Sequence, residues 1–387
     1  MSEFIFTEAG SEDRRMVLIG GFLGAGKTTL IGHLSRWLER SGLQVGLVTN
    51  DQGKGLMDTD SARRVSSPGG VEEITGGCFC CRLDDLVGAV ERMDRESRPD
   101  VIVAEPVGSC TDLVATVILP LEAVYQVPFT LSPYSVVLDA RRALATLGGR
   151  RNARDFHRDV GYVYRKQIEE AEWLVVNKTD LLEGEDLQDL ESRLAGAYPG
   201  KRVFLVSGKS GVGLEEWFAA LIGARSAPKD VMEVDYERYA RGEAMLGWVN
   251  SEARCRVIGA AEDGFDWGAW LMETGGKISE ELARQGNEVG HFKMSVETGS
   301  RRWRLHQVMS GENPLLHEDA LMTPTEEEGR LLVNLRAEGD AEMLESIVDS
   351  AFRNQDLVSV GFLNRAAFQP AKPVPTHRIA ALAPPLA

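Results

Sequence analysis

Two rhythms of apolar residues run along the first half of this chain. Short, nearly continuous apolar runs occur at "RMVLIGGF" (Arg15 to Phe22), "QVGLVTND" (Gln44 to Asp51), "DVIVAEP" (Asp100 to Pro106), "YSVVLDA" (Tyr134 to Ala140), "WLVVNKTD" (Trp173 to Asp180) and "RVFLVSG" (Arg202 to Gly208). Between them, apolar residues recur every three or four positions, as in Leu30, Ile31, Leu34 and Leu38. The runs are too short for helices and read as strands covered on both faces, while the spaced segments read as amphipathic helices. Their alternation predicts an α/β fold, a doubly wound and mostly parallel sheet over residues 15–225, with ligands gathered at the carboxyl ends of its strands. Residues 226–242, "SAPKDVMEVDYERYARG", lack periodicity and read as a linker. Over 243–368 the pattern becomes strand, helix, strand, strand, helix, strand, with "RWRLHQVMS" as an extra strand. That order predicts a smaller α+β domain of ferredoxin-like type. Residues 1–14 read as a flexible start and the proline-rich 369–387 as a disordered tail.

Chemistry enters where the first strand ends. Gly21-Phe22-Leu23-Gly24-Ala25-Gly26-Lys27-Thr28, followed by Thr29, fits the G-x-x-x-x-G-K-[ST] phosphate-loop pattern between a strand and a helix. The glycines let backbone N–H groups turn toward phosphates at the positive end of the helix. Lys27 would reach β- and γ-phosphates, and the Thr28 hydroxyl would ligate Mg²⁺. After a later strand, Asn177-Lys178-x-Asp180 offers a carboxylate that can accept both N1–H and N2–H of guanine, a donor pair that adenine lacks. "VSGKSG" adds Ser207, Gly208 and Lys209, whose backbone N–H groups could meet guanine O6. Glu105 closes a strand and Gly108 follows, which suits a Mg²⁺-bound water and a γ-phosphate sensor respectively.

Composition narrows the partners. The formal charge of -16 opposes nucleic acid, whose binding is driven by Lys and Arg. There is no apolar run long enough to span a bilayer and no basic-then-apolar leader, so a cytoplasmic protein with reduced thiols is expected. Three of the five cysteines crowd into "GGCFCC" as Cys78, Cys80 and Cys81. They precede a helix whose N-terminus favours thiolates, and Gly76 and Gly77 permit the bend that aims several sulfurs inward. Such thiols suit either a metal or a redox switch. Cys110 and Cys255 stand alone and read as buried apolar filler. None of the six histidines falls at metal-ligand spacing.

Taken together, Gly21–Thr28, "GGCFCC", Glu105-x-x-Gly108, "QIEEAEWLVVNKTDLL" and "SGKSG" resemble the CobW-type GTPases, the metal-handling branch of the P-loop GTPases related to hydrogenase and urease nickel-insertion factors. The resemblance covers roughly residues 15 to 225. It implies GTP binding and slow hydrolysis to GDP, with Mg²⁺ held through Thr28, Asp51 and Glu105. It also implies delivery of a metal, Zn²⁺ or Co²⁺, or of a metallocofactor, from the C-x-C-C element to a client metalloprotein or cofactor-dependent enzyme. Homodimerisation is left open. "TNDQGKGLMD" replaces the family's N-E-F-G-E-x-x-x-D, placing Asp51 and Lys54 at its two glutamates, and "EPVGSCTD" replaces E-T-T-G-x-A-D-P. Three sulfurs leave a tetrahedral site one ligand short, an open position useful for handover. The alternatives are a corrinoid or other cofactor-insertion chaperone that handles no free metal, a thiol redox sensor on a GTP switch, and an ATP-dependent small-molecule kinase, which Asp180 opposes.

Overall fold

The computed structural model describes residues 14–51, 70–148, 156–228, 230–258, 265–299, 301–319, 327–353 and 355–380. Lys54 and the first thirteen residues therefore lie outside the described residues, as does the side chain of Asp51.

The first half is built on an eight-stranded sheet whose strand pairs are parallel. Its elements are β1 (Arg15–Gly21), α1 (Lys27–Arg40), β2 (Val45–Asp51), β3 (Val71–Thr75), α2 (Leu83–Glu96), β4 (Val101–Glu105), a π-helical turn (Val114–Ile118) running into α3 (Leu119–Ala123), and β5 (Thr130–Leu131). There follow β6 (Ser135–Asp139), α4 (Ala140–Gly148), α5 (Arg158–Glu170), β7 (Trp173–Asn177), α6 (Gly184–Ala197), β8 (Arg202–Leu205) and α7 (Leu214–Gly223). The strand order is β3-β2-β4-β1-β6-β7-β8, with β5 beside β1. Successive side chains on a strand point to opposite faces. On β1, Met16 and Leu18 accordingly join the core under α2 and α5, while Val17 and Ile19 join the core under α1 and α7. Burial on both faces is why these strands read as unbroken apolar runs.

Chain direction reverses its march across the sheet at β1, which sits between β4 and β6. Gly21 is paired with Val137 on one side, and Leu18 with Ala104 on the other. The carboxyl ends of β4, β1, β6 and β7 therefore stand side by side, at the switch point where ligands of such sheets bind.

Residues 226–242 are not wholly a linker, because Tyr236–Ala244 forms α8, capped by Asp235, whose carboxylate accepts from Glu237 N and Arg238 N at 3.0 Å each. The second unit comprises β9 (Leu246–Val257), α9 (Trp267–Gln285), β10 (Val289–Glu297), β11 (Arg302–Gln307), β12 (Leu315–Asp319), β13 (Glu328–Glu338), α10 (Ala341–Phe352) and β14 (Val358–Phe368). Its antiparallel sheet runs β12-β11-β10-β13-β9-β14. The four strands β10, β13, β9 and β14 follow the ferredoxin-like order, and the β11–β12 hairpin extends the edge at β10. One face packs on α9 and α10 through Val249, Phe292, Met294, Leu305, Val333 and Leu335.

This second unit rests on the phosphate loop. A Cβ on Gly24 would lie 2.6 Å from Val308 Cγ1 and 3.0 Å from Gly290 O. Arg142 of α4 donates to Val289 O at 2.9 Å and also to Val308 O. The proline-rich tail departs from the expected disorder over residues 369–380. Thr376 N donates to Cys80 O at 2.8 Å, Ile379 N to Ala115 O at 2.9 Å, and Arg378 pairs with Asp112 at 2.7 Å. Backbone donors and the ion pairs of Arg378 with Asp112 and Lys372 with Glu237 hold it where apolar periodicity is lacking. Residues 381–387 lie outside the described residues.

Candidate functional site

Between β1 and α1 the phosphate loop turns sharply. Gly26 adopts φ 98°, and a Cβ there would meet Asn177 Nδ2 at 2.4 Å, so both conformation and space exclude a side chain. Asn177 reaches into the loop from β7, donating to Ala25 O at 2.9 Å and accepting from Gly208 N at 3.0 Å. One buried amide thus ties the phosphate loop to the "VSGKSG" turn. Lys27 is buried, its Nζ donating to Phe22 O at 3.3 Å and lying 4.0 Å from Glu105. Thr28 Oγ1 is 3.0 Å from each oxygen of Glu105, at the end of β4. A hydroxyl and a carboxylate converging beside a buried ammonium suit a hard cation and a phosphate chain, so these residues fit Mg²⁺. A Cβ on Gly108 would come within 3.0 Å of Lys27 Nζ, which brings the loop after β4 against the same lysine.

The base-binding candidates also meet here. Lys178 takes a left-handed conformation, φ 64°, and its Nζ donates to Gly24 O and Asp139 Oδ2 at 2.8 Å each. Asp180 is exposed and accepts from Ser207 Oγ at 2.6 Å, while Ser207 is buried and also caps Ser210 N at 3.1 Å. Thr29 and Lys209 are exposed. Asp139, at the end of β6, escaped sequence reasoning. Burial works to raise its pKa, but the Lys178 ammonium outweighs that and holds the carboxyl below its usual range. Its signal was available: "SVVLD" ends in an acid at the same edge as "VIVAE". His291 of β10 was missed as well. It is buried near Lys27, and its Nε2 lacks a hydrogen bond among the described residues.

The thiol loop lies beyond β3. Gly76 bends the chain at φ 79°, and Phe79 inserts fully into the core. Cys81 N and Arg82 N both return to Cys78 O, at 3.0 and 2.9 Å. That turn converges sulfurs which an extended chain would splay: Cys78 to Cys80 is 2.8 Å, Cys78 to Cys81 3.3 Å and Cys80 to Cys81 3.7 Å. All three lie within 4.8 Å of one another, close enough for one metal ion to reach every sulfur once the tightest pairs open slightly. Asn50, also unforeseen, suspends the loop from β2, donating to Ile74 O at 3.1 Å and Gly77 O at 2.7 Å while accepting from Phe79 N at 2.9 Å. Asn50 directly precedes Asp51.

Thiolate character is concentrated rather than shared. Cys78 is held well below the usual thiol range, first by the Cys110 thiol and then by those of Cys80 and Cys81. Cys80 is pushed up by its bonding to Cys78, and Cys81 rises to about 11 for the same reason. Hydrogen bonding among the three thus favours the thiolate at Cys78 and disfavours it at Cys80 and Cys81. Cys110 is buried in the first unit's core, as expected, and its thiol also interacts with Cys78, while Cys255 is packed in the second unit's core. Among the described residues, no helix is long and apolar enough to cross a membrane.

Comparison with known proteins agrees with this geometry. Residues 15–204 match the family described as "CobW/HypB/UreG, nucleotide-binding domain". A zinc chaperone CobW from Sinorhizobium sp is 27% identical over 216 residues, covering 50% of this chain and 58% of that protein. The zinc chaperone YeiR of Escherichia coli is 31% identical over 184 residues, covering 46% of this chain and 50% of that protein. The chain spans about half the length of the curated relatives it matches. The solved structure of Zn(II)-bound YjiA GTPase from E. coli is 16% identical with a TM-score of 0.36, covering 88% of this chain and 99% of that one. A phosphate loop, a guanine-type N-K-x-D turn and a C-x-C-C loop on one sheet edge are thus joined to a match across the first half of the chain, and residues 15–204 belong to the CobW/HypB/UreG family of nucleotide-binding domains.

Proposed function

We propose that this protein is a Mg²⁺-dependent GTPase whose nucleotide state governs capture and delivery of a divalent metal, zinc or cobalt, carried on Cys78, Cys80 and Cys81. The observation carrying this reading is Asn50, which suspends the three-sulfur loop from the strand that ends at Asp51 and runs beside Glu105. Lys27 would offset charge on the β- and γ-phosphates, while Thr28 and Glu105 hold Mg²⁺, with Asp51 alongside. Held there, Mg²⁺ would supply positive charge to offset that developing on the phosphates. Gly108 would offer its N–H to the γ-phosphate. Asn177 and Lys178 brace the phosphate loop, and Asp180 with the Ser207-Gly208-Lys209 turn would select guanine. Two of the relatives above are named zinc chaperones, which favours metal over cofactor handling. The cargo would pass to a client metalloprotein through ligand exchange at the open coordination position.

A thiol redox sensor is the second reading, favoured by the 2.8 Å approach of Cys78 to Cys80 and the depressed Cys78 pKa. Anaerobic titration with Zn²⁺, Co²⁺ and Ni²⁺, each with GTP analogue and with GDP, separates the two. Stoichiometric metal retention that depends on the nucleotide and vanishes in a Cys78/Cys80/Cys81→Ser variant is expected. Failure to retain metal under reducing conditions would discard the metal reading.

A further inference from the structure

Cys110 lies on the loop that follows β4, two residues after Gly108, and is 1% exposed. The loop is pinned by a buried side chain: Gln167 of α5 donates to Gly108 O at 3.0 Å and to Cys110 O at 2.8 Å. At its start, Glu105 meets Thr28 and Lys27; in its middle, Gly108 lies against Lys27. At its far end, Cys110 is buried in the same core cluster as Cys78 and Cys80 and interacts with the Cys78 thiol, outside the tight triangle of Cys78, Cys80 and Cys81. One short loop therefore touches both the phosphate site and the thiol cluster.

A second group points into the same place. Glu243 of α8 is 1% exposed, and its Oε1 has no hydrogen-bond partner among the described residues. Its carboxyl faces Cys78 and Ser109. An orphaned buried acid beside thiols is costly unless a charged partner completes it. Outer hydrogen-bond partners orient and tune metal-ligating sulfurs, and a carboxylic acid O–H is able to donate to such a sulfur.

We propose that Cys110 is a fourth sulfur ligand for the transferred metal, carried on the loop that senses the γ-phosphate, so that the nucleotide sets the coordination number at the metal. Glu243 then serves as the hydrogen-bond donor that stabilises the closed four-sulfur state. With Cys110 engaged the site is closed and retains its ion; with Cys110 withdrawn it has three sulfurs and an open position for a client's ligand. This rests on the metal-delivery reading and specifies its switch.

Zinc-edge X-ray absorption on the intact protein with one equivalent of Zn²⁺ tests it, in parallel GDP and GTP-analogue states. The expected result is four sulfurs at about 2.3 Å in one state and three sulfurs plus a light atom in the other. An unchanged sulfur count overturns the proposal. In Cys110→Ser that still binds GTP, the ratio of zinc affinities between the two states, expected at about 5- to 150-fold in the parent, should fall toward one. A ratio equal to the parent's overturns it. Should the parent retain no zinc, or Cys78/Cys80/Cys81→Ser retain as much, the metal reading itself fails. Three sulfurs in both states remove only Cys110.

Discussion

At the residue scale, Asp180 and Lys27 illustrate two kinds of commitment. Asp180 already holds Ser207 Oγ at 2.6 Å, which orients the carboxylate and leaves its other oxygen to solvent or a base. In Asp180→Asn, one acceptor becomes a donor, so GTP affinity should fall on the order of 100-fold, because charge-assisted hydrogen bonds are worth about 1.5–3 kcal/mol each. Xanthosine triphosphate, with a carbonyl where guanine has an amine, should gain. Competition between the two nucleotides measures this, and undiminished GTP binding would remove Asp180 from the base site. Lys27→Ala and Thr28→Ala should each lower turnover by about 100-fold or more, since in the proposed function both groups would face the transferring phosphate and its cation. Steady-state phosphate release, alongside circular dichroism to show that the fold persists, checks both.

At the element scale, helix α5 does more than cover the sheet. Its Gln167 gathers two carbonyls of the β4 loop, and its Glu170 accepts from Thr111 Oγ1 at 3.0 Å and Leu113 N at 2.6 Å. The loop that touches Lys27 is thereby clamped along its length to one helix. Gln167→Leu leaves two buried carbonyls without their donor, which should cost about 1–3 kcal/mol in urea unfolding. It should also weaken the difference in metal affinity between GTP-analogue and GDP states, whereas a purely structural glutamine would change stability alone. None of this was legible from sequence. "QIEEAEW" shows an amphipathic helix, but which turn of it faces which loop depends on how α5 crosses the sheet.

At the scale of the whole molecule, the carboxyl-terminal strap is the unexpected part. Val374 N donates to Cys81 Sγ at 3.2 Å, Thr376 N donates to Cys80 O, and Arg378 pairs with Asp112 on the loop after β4. Removing residues 369–387 exposes Cys81 and frees its sulfur. Net backbone hydrogen bonds of about 0.5–1.5 kcal/mol each then imply zinc loss to a chelator faster by about tenfold, with GTP hydrolysis little changed. Stopped-flow transfer to a coloured chelator gives the rate, and equal rates would show the strap to be a bystander. The second unit bears on the phosphate loop at the same scale, since Gly24 has no room for a side chain beneath Val308.

The chain's own pattern was enough for the parallel sheet, the phosphate loop, the N-K-x-D turn and the crowded thiols, because each depends on residues close in sequence. Alternation of short apolar runs with helical spacing specifies strands buried on both faces. Glycines at fixed intervals specify a turn around phosphates. What tertiary structure alone decided is which distant groups face each other. Asn50 is an unremarked strand-end residue until β2 and β3 pair and bring Gly77 and Phe79 to it. Cys110 reads as filler until the β4 loop folds against the thiol turn, and Glu243 reads as the start of the second domain's first strand until α8 buries it near Cys78. A proline-rich tail without periodicity reads as disordered because the donors that order it find their acceptors on residues nearly three hundred positions away. Local propensity and periodicity are properties of a few neighbouring residues; a thiol, an amide and a carboxyl meeting from separate elements are a property of the packed chain.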